Sequence, residues 1–336
     1  MGDKTGIEWT EATWNAIAGC SVVSKGCKNC YAMKVAHRLA QIEKTAGKYG
    51  GLTQVVNGNI VWNGELRLDE QALLQPLKWT RARLIFVNSM SDLFHENVPD
   101  AWIDRVFGVM ARCPHHTFQI LTKRAARMRE YMKNLPNRQA DFNCDAGLDG
   151  AVFPLPNVWL GVSVEDQPCA NERIPLLIDT PAAVRFLSCE PLLEPVDLTK
   201  MPFAEGDERH TWDALTGQAL MFADGVDGHP DMTIRLDKPI YPHIDWVIVG
   251  GESGPGARAM QPEWARSLRD QCVRAGVKFH FKQWGEWMPE PDLASEWQEH
   301  YELLGQWEGV CRRVGKKAAG RMLDGRTWDE MPGVAA

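Results

Sequence analysis

Three cysteines lie close together near the start of the chain. Cys20, Cys27 and Cys30 fall within the segment Gly19–Ala32 with the spacing C-x6-C-x2-C. Thiolates are the usual protein ligands of iron–sulfur clusters, and three of them can hold three irons of a [4Fe–4S] cube. The fourth iron then has no protein ligand. The spacing therefore predicts a cluster with one open iron.

Structural zinc is the main alternative for these cysteines. Zinc in structural sites takes four ligands, so a fourth side chain must lie within reach. The nearest histidine, His37, follows Cys30 by seven residues, which in a helix is about two turns or ~10 Å. The chain has no second CxxC pair. We therefore favour a cluster over zinc, and either over cysteines that bind no metal.

An open iron suits the chemistry of radical S-adenosylmethionine (SAM) enzymes. In that class the open iron chelates the amino and carboxylate groups of SAM, and one-electron reduction cleaves the sulfonium to give a 5′-deoxyadenosyl radical. Three cysteines, and not four, are what this chemistry needs. The predicted cofactors are a [4Fe–4S] cluster and SAM, and an electron donor such as flavodoxin or ferredoxin is a predicted partner.

Cysteine usage and hydropathy indicate the compartment. The nine cysteines are an odd number and, apart from this group, are spread along the 336 residues. A disulfide framework is therefore not expected. No apolar run approaches the ~18–20 residues that span a bilayer, and the first ten residues do not resemble a signal peptide. We expect a cytoplasmic protein with no membrane partner.

The charge is uneven along the chain. Residues 1–140 carry 19 Lys and Arg against 12 Asp and Glu, whereas residues 141–336 carry 18 against 32. A basic half can face an anionic substrate such as a nucleic acid or a nucleotide. A mosaic of surface charges is the alternative interpretation.

Short apolar runs alternate with helical patterns along the chain, and such runs are typical of strands buried on both faces of a parallel sheet. The predicted strands are Leu84–Asn88, Thr117–Leu121, Val158–Val162, Val184–Leu187, Trp246–Val249 and Val277–Phe281, with Trp14–Ala18 and Glu65–Leu68 as weaker candidates. The predicted helices are Tyr31–Glu43, Asp69–Trp79, Asp100–Cys113 (with Asp100 as N-cap), Lys123–Asn134 and Pro262–Ala275.

This alternation predicts an α/β fold. Up to eight strands between helices favour a (β/α) barrel of radical SAM type, complete or partial, with a doubly wound open sheet as the alternative. We expect one domain over 1–336, with insertions at 135–156 and 196–243 and a C-terminal extension, 285–336, packing on the barrel. The second insertion is predicted to cover the active-site mouth or dock a partner rather than support the core.

Polar residues follow six of the predicted strands. The active site of a (β/α) barrel forms at the carboxyl ends of its strands, so side chains there are candidate ligands of SAM. The residues assigned to cofactor binding are Asn88, Ser91, Asp92, Ser163, Glu165, Glu190, Gly250, Gly251, Glu252 and Ser253. Ordinary loop chemistry is the alternative for any one of them.

The segment GGESG is the most specific of these. Gly250 and Gly251 let the backbone approach a ligand closely, and the Glu252 carboxylate can take the amino group or a ribose hydroxyl of SAM. A glycine turn with a capping glutamate is the alternative.

Three further side chains are assigned to catalysis. Lys282, like Lys123 and Arg124, is a candidate partner for a carboxylate or a phosphate. His95 is a candidate proton donor, with a surface loop histidine as the alternative. Cys189 is a candidate hydrogen-atom donor near the radical, with a buried small side chain as the alternative.

Longer segments match a family pattern. Over most of its length the chain resembles the three-Cys-motif protein family of phage and bacterial genomes. The segments that carry the resemblance are TGIEWTEATWNAIAGC, GCKNCYA, FVNSMSDLFHENVP, QILTKRAARM, VWLGVSVEDQ, RFLSCEPLL, WVIVGGESGPGARAM and FKQWGEW. The resemblance implies a distant radical SAM-like protein encoded beside a dedicated partner protein. The first cysteine gap is six residues, where radical SAM enzymes usually have three.

Three functions remain open from the sequence. The first is a radical SAM-like enzyme acting on a nucleic acid or nucleotide, in base modification or lesion repair. The second is a cluster-bearing binding or regulatory module that acts with a partner protein and cleaves no SAM. The third is a zinc-stabilised barrel hydrolase, and the absence of HExxH, GxSxG and paired CxxC motifs argues against it.

Overall fold

The chain divides into two compact units. The computed structural model describes residues 5–138, 152–203, 210–223, 232–235, 238–289 and 311–333. Unit 1 comprises Met1–Ser163, Thr180–Arg185 and Gly333–Ala336, and unit 2 comprises Val164–Asp179 and Phe186–Pro332. No helix in the described residues is long and apolar enough to cross a membrane.

Most of unit 1 is formed by the first half of the chain. Its strands are β1 (Ala12–Trp14), β2 (Ile17–Ala18), β3 (Thr53–Val56), β4 (Asn59–Trp62), β5 (Arg67–Leu68), β6 (Leu84–Val87), β7 (Thr117–Thr122) and β8 (Val158–Ser163). Its helices are α1 (Tyr31–Ala40), α2 (Glu43–Tyr49), α3 (Glu70–Leu73), α4 (Asp100–Ala111) and α5 (Ala125–Arg138). Short 3-10 turns span Lys25–Cys27 and Pro76–Lys78.

Four parallel strands form the sheet of unit 1. β1, β6, β7 and β8 are neighbours in that order, with Trp14 opposite Val87 and Val87 opposite Ile120. All six residues of β8 are buried, and burial on both faces explains the continuous apolar runs in the sequence. The predictions of β6, β7 and β8 are confirmed, each with a one-residue difference at its end.

Unit 2 follows the same alternation and adds antiparallel pieces. Its helices are α6 (Gln167–Ile178), α7 (Pro262–Ala275) and α8 (Lys316–Ala319). Its strands are β9 (Val184–Cys189, with its first two residues in unit 1), β10 (Met201–Pro202), β11 (Thr211–Trp212), β12 (Ala219–Ala223), β13 (Met232–Arg235), β14 (Trp246–Gly250), β15 (Lys278–Gln283), β16 (Trp287–Pro289) and β17 (Cys311–Arg313).

The parallel strands follow one another in chain order. The seven-stranded sheet has the order β1-β6-β7-β8-β9-β14-β15. A doubly wound sheet reverses its strand order at a switch point, and this sheet does not, so the prediction of an α/β fold with barrel-type winding is confirmed at that level. In the described residues β1 and β15 are the first and last strands of this order.

Both weaker strand predictions are confirmed only in part, since Trp14, Ile17 and Ala18 lie in two short strands, β1 and β2. Only Arg67 and Leu68 of the segment Glu65–Leu68 form a strand, and it pairs antiparallel with Ile17–Ala18 outside the parallel sheet. The chain leaves β1 at Trp14. The backbone N–H of Ile17 donates to Asn88 Oδ1 at 3.3 Å instead of to a parallel neighbour.

Helix ends differ from the predictions where a local cap or proline intervenes. Asp69 is the N-cap of α3, since its Oδ1 accepts from the Ala72 backbone N–H at 3.0 Å, and Pro76 starts a separate 3-10 turn. The N-cap of α4 is Pro99, and Asp100 is already helical. The predicted helix Tyr31–Glu43 corresponds to α1, which ends three residues earlier at Ala40, and Glu43 begins the separate helix α2.

The predicted insertion 196–243 contains a small antiparallel sheet of β10, β11, β12 and β13. Its first residues are anchored on α7, because Gln271 accepts from the Leu198 backbone N–H at 2.8 Å and donates to the Val196 carbonyl at 3.0 Å. Leu198 and Met201 are buried. This part therefore belongs to the core of unit 2, contrary to the prediction.

Two predicted regions are described only in part. Residues 139–151 of the predicted insertion 135–156, and residues 290–310 of the C-terminal extension, lie outside the described residues. The end of the extension runs along β15. The Phe281 backbone N–H donates to the Trp328 carbonyl at 2.9 Å, and the Glu330 backbone N–H donates to the Phe279 carbonyl at 3.2 Å.

Candidate metal centre and strand-end residues

The loop that carries the cysteines begins at a glycine. Gly19 has φ of +100°, and a Cβ at this position would overlap the Glu65 carbonyl oxygen, so only glycine fits. The Gly19 N–H donates to the Met90 carbonyl at 3.2 Å. This turn places Cys20 just beyond the carboxyl end of β1, where the active site of a parallel α/β fold is expected.

Two tight turns then place the other cysteines. Cys27 ends the 3-10 turn Lys25–Cys27, and its N–H donates to the Ser24 carbonyl at 3.0 Å. The Cys30 N–H donates to the Cys27 carbonyl at 3.2 Å, and Cys30 is the N-cap residue of α1. All three cysteines are free thiols of intermediate exposure.

Burial and nearby charges act on two of the three thiols. Burial raises the pKa of Cys30, and the negative charge of ionised Cys27 raises it further. Burial and the nearby charge of Asp92 raise the pKa of Cys20 to about 12, and ionised Cys30 adds to that rise. Such coupling requires short separations between the charges. Ionising these thiols is therefore unfavourable in the free protein, and binding to iron cations must offset that cost.

The described residues do not form a ready site for a single metal ion. In the described residues no three His, Cys, Asp or Glu side chains converge as ligands of one ion. His37, the nearest histidine in sequence, has Nδ1 3.2 Å from the Thr53 hydroxyl. In a [4Fe–4S] cube each thiolate binds a different iron, so the three sulfur atoms need not converge on a point.

A buried arginine joins the cysteine loop to the strand ends. Nη1 of Arg124 lies 3.9 Å from Sγ of Cys20 and 3.0 Å from Asp92 Oδ2. Nη2 lies 2.8 Å from Ser21 Oγ, and Nε lies 2.9 Å from Glu96 Oε2. The Arg124 side chain is only 5% exposed, so water screens these charges little.

The neighbouring residue, Lys123, supplies a second positive charge. Its charge lowers the pKa of Cys30, although burial dominates and the net shift is upward. Its backbone N–H donates to Asp92 Oδ2 at 3.1 Å. Consecutive cations at the end of β7 thus act on two different cysteines, Arg124 on Cys20 and Lys123 on Cys30.

His95 lies inside this network and not on the surface. Its side chain is 2% exposed, so the interpretation as a surface loop histidine is wrong. Nδ1 accepts from the Asn97 backbone N–H at 3.1 Å, which places the proton of the neutral ring on Nε2, and Nε2 lies 2.8 Å from Ser21 Oγ. Burial lowers the His95 pKa, and the charge of Arg124 lowers it further. A role in proton donation stays a prediction.

The other predicted residues of unit 1 hold the backbone in place. Asn88, in the left-handed region with φ of +58°, binds Ile17 as described above, and its N–H donates to the Trp14 carbonyl at 2.7 Å. Ser91 Oγ donates to the Ile17 carbonyl at 3.0 Å. Ser163 is buried at the end of β8. Asp92 accepts from Arg124 and, at 2.7 Å, from the Thr122 hydroxyl.

Each predicted carboxylate of unit 2 has a cation of the same unit as its partner. Glu165 accepts from Arg173 Nη1 at 2.7 Å, and both side chains are buried. Lys282 Nζ lies 3.0 Å from Glu190 Oε1, which joins two predicted site residues. A ligand ammonium at either carboxylate would have to compete with the chain's own cation.

The Glu252 carboxylate accepts three hydrogen bonds from a single residue, Arg258. Its Oε2 accepts from the backbone N–H and from Nε of Arg258, each at 2.9 Å, and its Oε1 accepts from Nη2 at 2.6 Å. This is a turn closed by a glutamate, the alternative considered for GGESG. The nearby Ser253 hydroxyl lies 3.0 Å from Gln283 Nε2.

The space beside the two glycines is filled by the chain itself. A Cβ on Gly250 would lie 2.5 Å from Glu190 Oε1, and a Cβ on Gly251 would overlap the Trp284 carbonyl oxygen. The expectation that these glycines open room for a ligand is therefore corrected: they make room for Glu190 and for the turn at Trp284.

Cys189 lies in the core of unit 2. It is fully buried, and burial together with the charge of Cys272 on α7 raises its pKa well above the ordinary value. This is the placement of a small core side chain. Its assignment as a hydrogen-atom donor stays a prediction.

A family model decides the classification. The model described as "Protein of unknown function (DUF5131)" matches residues 4–332. The chain belongs to the DUF5131 family. That description shows no link to phage genes or to radical SAM enzymes, so this part of the resemblance stays a prediction.

Two further comparisons were made for this DUF5131 chain. No curated protein matches it. A solved structure of spore photoproduct lyase complexed with dinucleoside spore photoproduct is weakly similar, with 11% identity, a TM-score of 0.31, and coverage of 82% of this chain and 75% of that chain. At this TM-score the similarity carries no conclusion about function.

The partners that bind the polar residues of this DUF5131 protein were not predicted. Ser21 and Glu96 complete the Arg124 network, and neither stands out in sequence because the contacts reach across about 100 and 30 residues. The pairing of Arg258 with Glu252 and of Arg173 with Glu165 could have been predicted from the sequence. A buried carboxylate requires a cation, and these arginines follow Glu252 and Glu165 by six and eight residues.

Proposed function

We propose that this DUF5131 chain is a radical SAM-like enzyme that binds a [4Fe–4S] cluster through Cys20, Cys27 and Cys30. The observation that carries the proposal is a set of three free cysteines on one loop, in which Cys30 is electrostatically coupled to Cys20 and to Cys27. The set offers ligands for three irons and none for a fourth. When bound, such a cluster supplies the one-electron reductive cleavage of SAM.

The residues of the chain have distinct parts in this proposal. The three cysteines bind iron as thiolates, and the turns at Gly19 and Cys27 hold them in place. Arg124 and Lys123 place positive charge beside Cys20 and Cys30, which favours the anionic thiolates over the neutral thiols. A thiolate-bound cluster and free cysteines suit the reducing cytoplasm.

An external donor must deliver the electron, and the surface of the cysteine loop suits an acidic protein. Val22 and Val23 are 51% and 45% exposed, and Lys25 and Lys28 are exposed beside them. No acidic residue occurs between Glu11 and Glu43. Apolar side chains with cations around them complement an acidic electron carrier such as flavodoxin or ferredoxin. A dedicated partner protein encoded nearby is the second proposed partner.

The proposed substrate class is a nucleic acid or a nucleotide, acted on in base modification or lesion repair. The excess of cations over residues 1–140 supports an anionic substrate. The identity of the base or lesion is not part of the proposal.

The test is SAM cleavage by protein reconstituted anaerobically with iron and sulfide. We expect 5′-deoxyadenosine after addition of dithionite, a rate that changes with added DNA or RNA, and no product from Cys27→Ala. Cys113→Ala, which removes a buried free cysteine of the same unit, is the matched control. No 5′-deoxyadenosine from wild-type protein that contains a full cluster would reject the enzyme.

A second candidate is a cluster-bearing module that acts through a partner protein and cleaves no SAM. One observation favours it, namely that Glu165, Glu190 and Glu252 already have cations of their own unit as partners. A loaded cluster with no SAM-dependent change in its spectrum would support this candidate over the enzyme.

A further inference from the structure

Arg124 uses all of its hydrogen-bonding capacity on two opposed sets of residues. A guanidinium has five N–H donors. Here Nε donates to Glu96, one Nη1 donor faces Asp92 and Nη1 also faces the Cys20 sulfur, while Nη2 faces the carbonyl and the hydroxyl of Ser21. Two carboxylates thus bind one side of the guanidinium, and its other side binds the cysteine loop.

The contacts with the cysteine loop distinguish Arg124 from a residue that forms only an ion pair. Asp92 and Glu96 alone would neutralise the charge of Arg124. Its guanidinium nevertheless also contacts Cys20 and the next residue, Ser21. A lysine has three donors on a single atom and cannot span these acceptors. The geometry thus couples the orientation of the Cys20 side chain to a fixed, buried positive charge.

We propose that Arg124 is a positioning residue that orients Cys20 as a cluster ligand and supplies a positive charge that makes the cluster easier to reduce. This inference rests on the proposed function. A reduced cluster carries one more negative charge than an oxidised one, so a fixed cation nearby stabilises the reduced form.

A purely structural role makes a different prediction. If Arg124 only pins the loop, its loss lowers stability and iron content but leaves the reduction potential of the remaining cluster unchanged. Arg127 offers the matched control, because it pins the same neighbourhood through the carbonyls of His95, Glu96 and Val98 and through Asp100. None of these contacts involves a cysteine.

The experiment compares Arg124→Met, Arg124→Lys and Arg127→Met after anaerobic reconstitution with iron and sulfide. Iron per chain reports positioning, and the midpoint potential from an EPR-monitored redox titration reports charge. We expect Arg124→Met to retain less iron and Arg124→Lys, which keeps the charge, to restore the potential but not the full iron content.

The expected shift is on the order of tenfold in the reduction equilibrium for each lost charge, or about 59 mV for one electron. Arg127→Met should keep the wild-type potential. A wild-type potential in loaded Arg124→Met would overturn the charge role, and wild-type iron content in Arg124→Met would overturn the positioning role. A wild-type protein that takes up no iron would instead contradict the proposed function.

Discussion

Nη1 of Arg124 lies 3.9 Å from Sγ of Cys20, although the two residues are 104 positions apart in sequence. The contact brings the end of β7 against the loop that follows β1. It is the point at which the cysteine loop meets the polar strand ends of unit 1. The same guanidinium reaches His95 through Ser21, so several separately predicted residues form one network.

Charge reversal on the cysteine loop should slow reduction by a protein donor. In Lys25→Glu/Lys28→Glu we expect a fall on the order of tenfold in the rate of cluster reduction by flavodoxin at low salt, because the electrostatic attraction that steers association is lost. Reduction by dithionite should not change. The control is Lys78→Glu, an exposed lysine that precedes β6 at the opposite strand ends of unit 1. Equal slowing in the control would contradict the docking surface.

Glu252 should contribute more to stability than to SAM binding. We expect Glu252→Gln and Arg258→Gln to lower the free energy of unfolding by similar amounts, roughly 1–3 kcal/mol, because each leaves a partner without its charged hydrogen bonds. Urea unfolding measures this, and iron content should stay at the wild-type level. If Glu252→Gln keeps full stability and loses SAM affinity while Arg258→Gln does not, Glu252 is a cofactor ligand as first predicted.

The two glycines of GGESG should differ in their tolerance of alanine. Gly251→Ala forces a Cβ against the backbone carbonyl of Trp284, which cannot move without the turn, and we expect a loss of about 1–3 kcal/mol. Gly250→Ala meets the Glu190 carboxylate, a side chain that can shift, so its loss should be smaller. Thermal unfolding of both variants checks the order. The reverse order would mean that Glu190 is held more rigidly than the turn.

His95 should make the protein less stable on the acidic side. Because its pKa is lowered in the folded state, the unfolded chain takes up a proton more readily. Stability is then complete above the ordinary histidine pKa of about 6.5 and falls as the pH drops through the lowered folded value. His95→Gln should lose less stability than wild type between pH 7.5 and pH 5. An equal loss in both proteins would show that other groups cause the acid sensitivity.

The strands were predictable because burial on both faces leaves an unbroken apolar run, as in β8. Helix α6 was not predicted. Pro168 and Pro175 interrupt its sequence pattern, and its N-cap is Asp166, whose side chain accepts from the Cys169 N–H at 2.9 Å.

The cysteine group was predictable from spacing alone, whereas its surroundings were not. Contacts such as those of Arg124 with Ser21 and Asp92 depend on which loops the sheet brings together, and no local pattern reports them. The same holds for the pair of Glu190 and Lys282, which come from β9 and β15 ends far apart in sequence. The polar residues at successive strand ends predicted an active site at that edge of the sheet. They did not predict which of those residues would form ion pairs or hydrogen bonds with one another.

Metal analysis of anaerobically prepared protein tests the central claim most directly. The account predicts about four irons and four sulfides per chain in wild type and in Cys113→Ala. It predicts loss of most iron and of the brown chromophore in Cys20→Ala, Cys27→Ala and Cys30→Ala, each of which should remain folded. Stoichiometric zinc without iron in the wild-type protein, or iron content that does not depend on these three cysteines, would contradict it.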